Sequence, residues 1–284
     1  MRLRIVLAAA ALLTAAFAAP ATAATTATAS GVNDPACRPS AAHPRPVVFL
    51  HGLGATSYED LNYLQDHVAA KGYCTFSRTY GAYPQFPLVG GLRPIADSAT
   101  EIKEFIGEVL AETGAAQVDL VGHSEGGFQS LYVTKTQGIA DRIGSVVSIA
   151  PPTHGTTFAG LTKLAYLLGV RDEVGKALTA FGCPACDNLI TDGSAVQTLT
   201  NGPIAQPGVR YTVLTSRFDE LVTPTETSFV REPGVTNEYV QDTCPFDPVG
   251  HIGEAYDLNV WNLVTNALDP AHAEKFLCTA GSPG

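Results

Sequence analysis

The chain has 284 residues, 45% of them hydrophobic, with 17 basic against 27 acidic side chains and a formal net charge of −10. That is ample apolar material for one core, and α/β domains often reach about 200–250 residues as a single unit. The acidic balance repels nucleic acid and anionic membranes, and no basic stretch interleaved with aromatic residues supplies a nucleic-acid groove.

Arg2 and Arg4 precede Ile5–Ala19, which is apolar apart from Thr14, and Ala21-Thr22-Ala23 follows as an A-x-A signal. A membrane span needs about 20 apolar residues, so residues 1–23 read as a cleaved signal peptide of an extracellular protein, with Ala27-Thr28-Ala29 as a second cleavage site. Residues 24–34 are small and polar, an expected disordered leader, and 35–284 are expected to form one domain. Without Arg2 and Arg4 the net charge becomes −12.

Pro46–Leu50 is a short, wholly apolar run ending at His51-Gly52, the mark of a strand buried on both faces. A helix is predicted over Tyr58–Ala70, with Thr56 and Glu59 as a capping box and Leu61, Leu64 and Val68 on one side. Cys74–Tyr80 reads as a strand. Ile102, Phe105, Ile106, Val109 and Leu110 give Ile95–Glu112 a helical period. Val118–Val121 is the next strand, Gly127–Gln137 a helix, Ile143–Ala150 and Val209–Leu214 further strands. A last strand at Glu238–Val240 and a helix over Tyr256–Leu268 complete the alternation, which implies a mostly parallel sheet covered on both faces. The interval 155–207 interrupts it. Phe158, Leu161, Leu164 and Leu168 there form an apolar face that belongs either to a core helix or to a cap lining an acyl pocket.

All six cysteines follow the leader, and an even count in an exported chain argues for three disulfides among 15 pairings. Cys37–Cys74, Cys183–Cys186 and Cys244–Cys278 each join segments that such a fold brings together. Cys183-Pro-Ala-Cys186 alternatively reads as a redox dithiol or half a zinc site, but no second ligand pair accompanies it. No H-E-x-x-H or EF-hand pattern is present, so neither metal nor cofactor is expected.

The chemistry concentrates at Gly122-His123-Ser124-Glu125-Gly126, a G-x-S-x-G pattern between a strand and a helix. Such a turn is too sharp for large neighbours and exposes the serine hydroxyl. Ser124 then needs a base and an orienting acid. Asp219 follows the strand ending near Ser216, and His251 stands ahead of the closing helix, in the order serine, acid, histidine. Glu220 and Asp247 are alternative acids, and His272, His123 and His154 alternative bases. The backbone N–H groups of Leu53 and Glu125 are the expected oxyanion donors. His51 is expected to hold its loop by hydrogen bonds, and the Glu125 side chain to face solvent.

His51-Gly52-x-Gly54, the Ser124 pentapeptide, Pro151–Thr156, Asp219 and Val249-Gly-His251-Ile, in this order, resemble the α/β-hydrolase superfamily. Within it, the chain is similar to the secreted class 2 lipases of actinobacteria and their shorter relatives from bacilli. The resemblance runs from about Arg45 to Leu268, although that family more often has Gln or Met at the position of Glu125. It implies cofactor-free hydrolysis of carboxylic esters, often triacylglycerols, through an acyl-enzyme. The implied partner is an ester substrate at an oil–water interface, met by a monomer without stable membrane insertion. A polyester or cutin-type esterase and a non-catalytic binding protein on the same scaffold are the alternatives.

Overall fold

A computed structural model of the chain describes residues 31–158 and 160–283; the signal peptide expected over 1–23 lies outside them. The sheet consists of β1 (Val47–Leu50), β2 (Thr75–Ser77), β3 (Val118–His123), β4 (Ile143–Ile149), β5 (Arg210–Thr215) and β6 (Val235–Tyr239); the apolar runs give the central strands, which are covered on both faces, while the edge strand β6 is half exposed. They pair in the order β2-β1-β3-β4-β5-β6, every pair parallel. The order reverses between β1 and β3, and at such switch points a crevice opens beyond the carboxyl ends of the strands. The loops after β1 and β3 both begin there.

Helices α1 (Asn62–Ala70), α2 (Ile95–Thr113) and α3 (Glu125–Thr136) follow the first three strands. Leu64 and Val68 of α1 pack with Phe49, Val121 and Val147 on one face of the sheet. Ile102 and Ile106 of α2 and Phe128 and Leu131 of α3 pack with Val48, Leu120 and Val146 on the other. Between β4 and β5 come α4 (Leu161–Leu167), α5 (Arg171–Ala180), α6 (Pro184–Asn188) and α7 (Ser194–Thr200). After β6, α8 (Val240–Thr243) and α9 (Leu258–Leu268) finish the chain's helical layers, and Val260 and Val264 of α9 join Leu64 and Val68.

Four expectations shift. Helix α1 starts at Asn62 rather than Tyr58, because Asp60 takes a left-handed φ of 70° that no helix can pass through. The Thr56 hydroxyl still bonds the Glu59 carboxylate, but within the preceding turn rather than as a helix cap. The last strand runs Val235–Tyr239, and α9 opens at Leu258, where Asp257 accepts the Val260 N–H at 3.0 Å. Residues 31–34 are not disordered. Asn33 N–H bonds the Thr75 carbonyl at 2.8 Å and Thr75 N–H the Gly31 carbonyl at 2.7 Å, so this end of the leader covers the open edge of β2.

The interval 155–207 divides in two. Ala195, Val196 and Leu199 of α7 are core residues against the α2–α3 layer, whereas Leu161, Leu164, Leu167 and Leu168 around α4 are all exposed. Among the described side chains of that helix, Ala165 is the buried apolar one.

The three disulfides are Cys37–Cys74, Cys183–Cys186 and Cys244–Cys278. The first ties the segment that follows the leader to the residue just before β2. The third holds the C-terminal tail against the loop before α9, where Gly250 N–H bonds the Ser282 carbonyl at 3.1 Å and Gly281 N–H bonds Asp247 Oδ1 at 3.2 Å. Loop closure by Cys37–Cys74 and Cys244–Cys278, with separations of 37 and 34 residues, removes far more unfolded-state freedom than a separation of 3. In the chain-entropy relation this is about 4 kcal/mol against about 1.5 kcal/mol. Replacing either long-loop pair by serines should therefore lower Tm clearly more than replacing Cys183 and Cys186; equal losses in differential scanning calorimetry would contradict this.

Candidate active site

β3 ends at His123, and Ser124 adopts φ 55° and ψ −120° before α3 begins at Glu125. This left-handed conformation is strained for serine and throws its side chain out of the sheet. Both flanking glycines are required by close approach. A Cβ on Gly122 would lie 2.1 Å from the Gly126 carbonyl oxygen, and one on Gly126 would lie 1.9 Å from that of Leu50. Ser124 N–H bonds the Ile149 carbonyl at 2.8 Å, anchoring the turn to β4.

Three distant segments meet at the serine. His251 Nε2 lies 2.9 Å from Ser124 Oγ, and His251 Nδ1 lies 2.8 Å from Asp219 Oδ2. The other Asp219 oxygen accepts the Leu221 and Val222 N–H groups, both at 2.8 Å, so the carboxylate is held in place by its own loop. With Nδ1–H donating to Asp219, Nε2 is left to accept the serine proton.

The rival residues have other duties. Glu220 Oε2 accepts the His251 backbone N–H at 3.1 Å. Asp247 accepts Val249 N–H at 3.0 Å and the Asn259 amide at 2.6 Å, shaping the His251 loop from below. His272 is exposed beside Asp269, and His154 bonds the Phe229 carbonyl. His123 has one ring nitrogen on Asp60 and the other on the His251 carbonyl. His51 is buried, donating from Nδ1 to the Gly52 carbonyl and accepting Tyr80 N–H at Nε2, and burial holds its pKa below the ordinary value.

A cleft of about 250 Å³ opens over Ser124, with Leu53 of the loop after β1 in its wall. Its apolar lining comes from Phe158, Leu189, Leu221, Val222 and Ile252. Of the acyl-pocket residues expected from sequence, only Phe158 lies there. Leu161, Leu164 and Leu168 are a correction: they are 68%, 52% and 66% exposed and stand outside the lining. Helix α4 has turned Ala165 and Thr162 inward instead. Leu221 and Val222 were legible only as neighbours of Asp219, and nothing in sequence marked Leu189.

Glu125 is a second correction, being fully buried rather than solvent-facing. Its carboxyl group lies close to the loop after β1, where a Cβ on Gly91 would meet Glu125 Oε2 at 2.5 Å and Leu53 Cα at 3.2 Å. Burial pushes its pKa well above the carboxylate range, with the Gln129 side chain opposing. Glu254, fully buried too, accepts Ser216 N–H, and burial followed by the nearby Asp219 charge pushes it up likewise.

A raised carboxyl pKa has a definite sign. The folded chain keeps the proton while the unfolded chain releases it above about pH 4.3, so stability falls as pH rises past that point. Glu125→Gln should therefore raise Tm over wild type at pH 8, with the gain shrinking towards pH 4. A gain of equal size at both pH values would refute the buried neutral carboxyl.

A model of the alpha/beta hydrolase fold matches residues 45–177, a stretch holding the loop after β1 and the serine turn but ending before Asp219 and His251. A triacylglycerol lipase of Pseudomonas fragi is 27% identical over 136 residues, 47% of this chain and 44% of that protein. The match thus spans less than half of that relative. Among solved structures, Aspergillus fumigatus lipase B superposes with a TM-score of 0.62 at 18% identity, covering 81% of this chain and 52% of that one. A Bacillus licheniformis lipase in its mature form gives 0.55 at 17%, covering 85% and 97%. The chain has the α/β-hydrolase fold, and in sequence it resembles bacterial lipases.

Proposed function

We propose that this protein is a secreted serine hydrolase of carboxylic esters, a lipase or esterase working through an acyl-enzyme. The observation that carries the reading is the line Asp219–His251–Ser124, drawn from positions 32 and 127 residues apart in sequence. Ser124 Oγ attacks the ester carbonyl as His251 Nε2 takes its proton. The N–H groups of Leu53 and Glu125 receive the oxyanion, favoured by the positive end of α3. His251, its charge balanced by Asp219, returns the proton to the departing alcohol. A water then repeats the sequence on the acyl-enzyme and frees the acid. The apolar wall supports an acyl substrate, and the Pseudomonas fragi relative's name makes triacylglycerols the first class to assay. Export is supported by the charged and apolar N-terminus and by the disulfides.

Ser124→Ala and His251→Ala should each cost several orders of magnitude in kcat, with the double variant hardly worse, because the members act as a unit. Asp219→Asn should lose about 10⁴-fold while melting normally. A serine-directed phosphonate should label Ser124; labelling at Ser130 or Ser148, which are buried and bonded to each other, would sink the assignment.

Phe158→Ser should lower kcat/KM on long-chain p-nitrophenyl esters more than on acetate, since each buried CH₂ contributes at most about 0.8 kcal/mol. Leu164→Ser should leave the soluble series almost unchanged. The reverse ranking would move the acyl pocket to α4.

A further inference from the structure

Beside the triad lies a second buried acid–histidine pair. His123 is the residue between Gly122 and Ser124, and Asp60 comes from the turn before α1. His123 Nδ1 lies 2.6 Å from Asp60 Oδ1, and His123 Nε2 lies 2.9 Å from the main-chain oxygen of His251. A carbonyl oxygen only accepts, so Nε2 must carry a hydrogen. The second Asp60 oxygen accepts the Gly52 N–H of the oxyanion loop, which favours an ionised carboxylate and so a second hydrogen on Nδ1. Neighbouring His51 faces one donor and one acceptor and needs a single hydrogen.

Asp60 itself is held in a left-handed conformation, φ 70°, with its N–H donating to the Tyr256 hydroxyl at 2.8 Å. Residues kept in sparsely populated backbone regions cluster at functional sites, where surrounding bonds over-determine them. Four segments are joined through this pair: the oxyanion loop at Gly52, the serine turn at His123, the base loop at His251 and the turn before α9 at Tyr256.

We propose that His123 is a resident imidazolium ion, and that the Asp60–His123 ion pair is the positioning clamp that fixes the oxyanion loop and the base loop in register about Ser124. Neither residue accepts the serine proton. The kinetic part rests on the ester-hydrolase reading; the protonation state does not. The charged groups around His123 are consistent with it. Burial opposes the charge, but Asp60, the His251 carbonyl and, more distantly, Asp219 outweigh burial and hold its pKa above the ordinary histidine value. On the partner side, burial is outweighed by His123 and the Gly52 N–H, so that Asp60 sits below the usual carboxylate value. The His251 ring stands 4.9 Å away, and Tyr256 faces Asp60 with its phenol group, pushed up chiefly by its own burial. A histidine pKa raised by folding gives stability that is whole below about pH 6.5 and lost as pH climbs through the raised value. The clamp should accordingly open on the alkaline side.

The test begins with the wild-type protein. Imidazole ¹⁵N spectra at pH 7.5 should show both His123 ring nitrogens protonated, with the second proton lost only above the ordinary histidine range. A His123 with bare Nδ1 at that pH, the proton residing on Asp60 or absent, would overturn the proposal whatever the activity. Asp60→Asn should then lower kcat by about 10²-fold, the order that a small misplacement of catalytic groups costs, with KM within about twofold. It should also move the alkaline limb of the kcat profile to lower pH. His123→Gln, which keeps one donor for the His251 carbonyl, should recover part of the activity lost in His123→Ala. A wild-type kcat and pH profile in Asp60→Asn would refute the clamp. Failure of the phosphonate to label Ser124 would instead refute the hydrolase reading and leave the spectra intact.

Discussion

Everything at the site hangs on a turn that the backbone resists. Ser124 is held at positive φ, a conformation that costs of order 1–3 kcal/mol for such a residue. Three constraints keep it there. The α3 helix begins one residue later, the Ser124 N–H is bonded to β4, and the backbones of β1, β3 and α3 approach so closely that only glycine fits at 122 and 126. The core is what makes the strain affordable, since β3 is buried from end to end and Phe128 and Leu131 clamp α3 onto the sheet. The serine is therefore presented by the buried core, while His251 and Asp219 reach it from loops.

Those loops are steadied by hydrogen bonds as well as by the buried side chains of Val222 and Val249. The His251 segment is braced by Asp247, by Glu220 and by the C-terminal tail, which Cys244–Cys278 holds in place. Asp219 is braced by two N–H groups of its own loop. Around the serine stand three histidines with three different partner sets: a donor and an acceptor at His51, two acceptors at His123, a carboxylate and a hydroxyl at His251. One side-chain type thus fills three roles, because the protonation of an imidazole is set by what its two nitrogens face.

The buried carboxyl groups follow the same logic. Asp60 is ringed by donors and a cationic partner and stays below its ordinary pKa. Glu254 has one backbone donor, and burial with the nearby Asp219 charge pushes its pKa well up. Glu125 sits beneath the loop after β1, also pushed up by burial. Burial thus disfavours a negative charge on the side chain next to Ser124.

Much of this was legible along the chain. Short apolar runs marked the central strands β1, β3, β4 and β5, since a strand covered on both faces cannot alternate, whereas the edge strand β6 is half exposed and was placed three residues late. The spacing of Gly122, Ser124 and Gly126 marked the turn, because the steric demand of that turn is local. The serine, acid and histidine order followed the strands, and so located Asp219 and His251 within their loops. Side-chain direction was not legible. The leucines of α4 have the period of a buried face, yet a seven-residue helix sits on the rest of the fold by whichever side leaves room, and here that side carries Ala165 and Thr162. Glu125 resembles a surface residue in any local pattern, and only the approach of the Gly91 and Leu53 backbones encloses it. The pairing of Asp60 with His123 spans 63 residues and depends on a left-handed residue before α1. What the sequence by itself determined were the features set by backbone sterics and local periodicity. Which polar groups face one another, and hence which of them are charged, was decided only by tertiary structure, because burial and hydrogen-bond partners come from segments far apart in the chain.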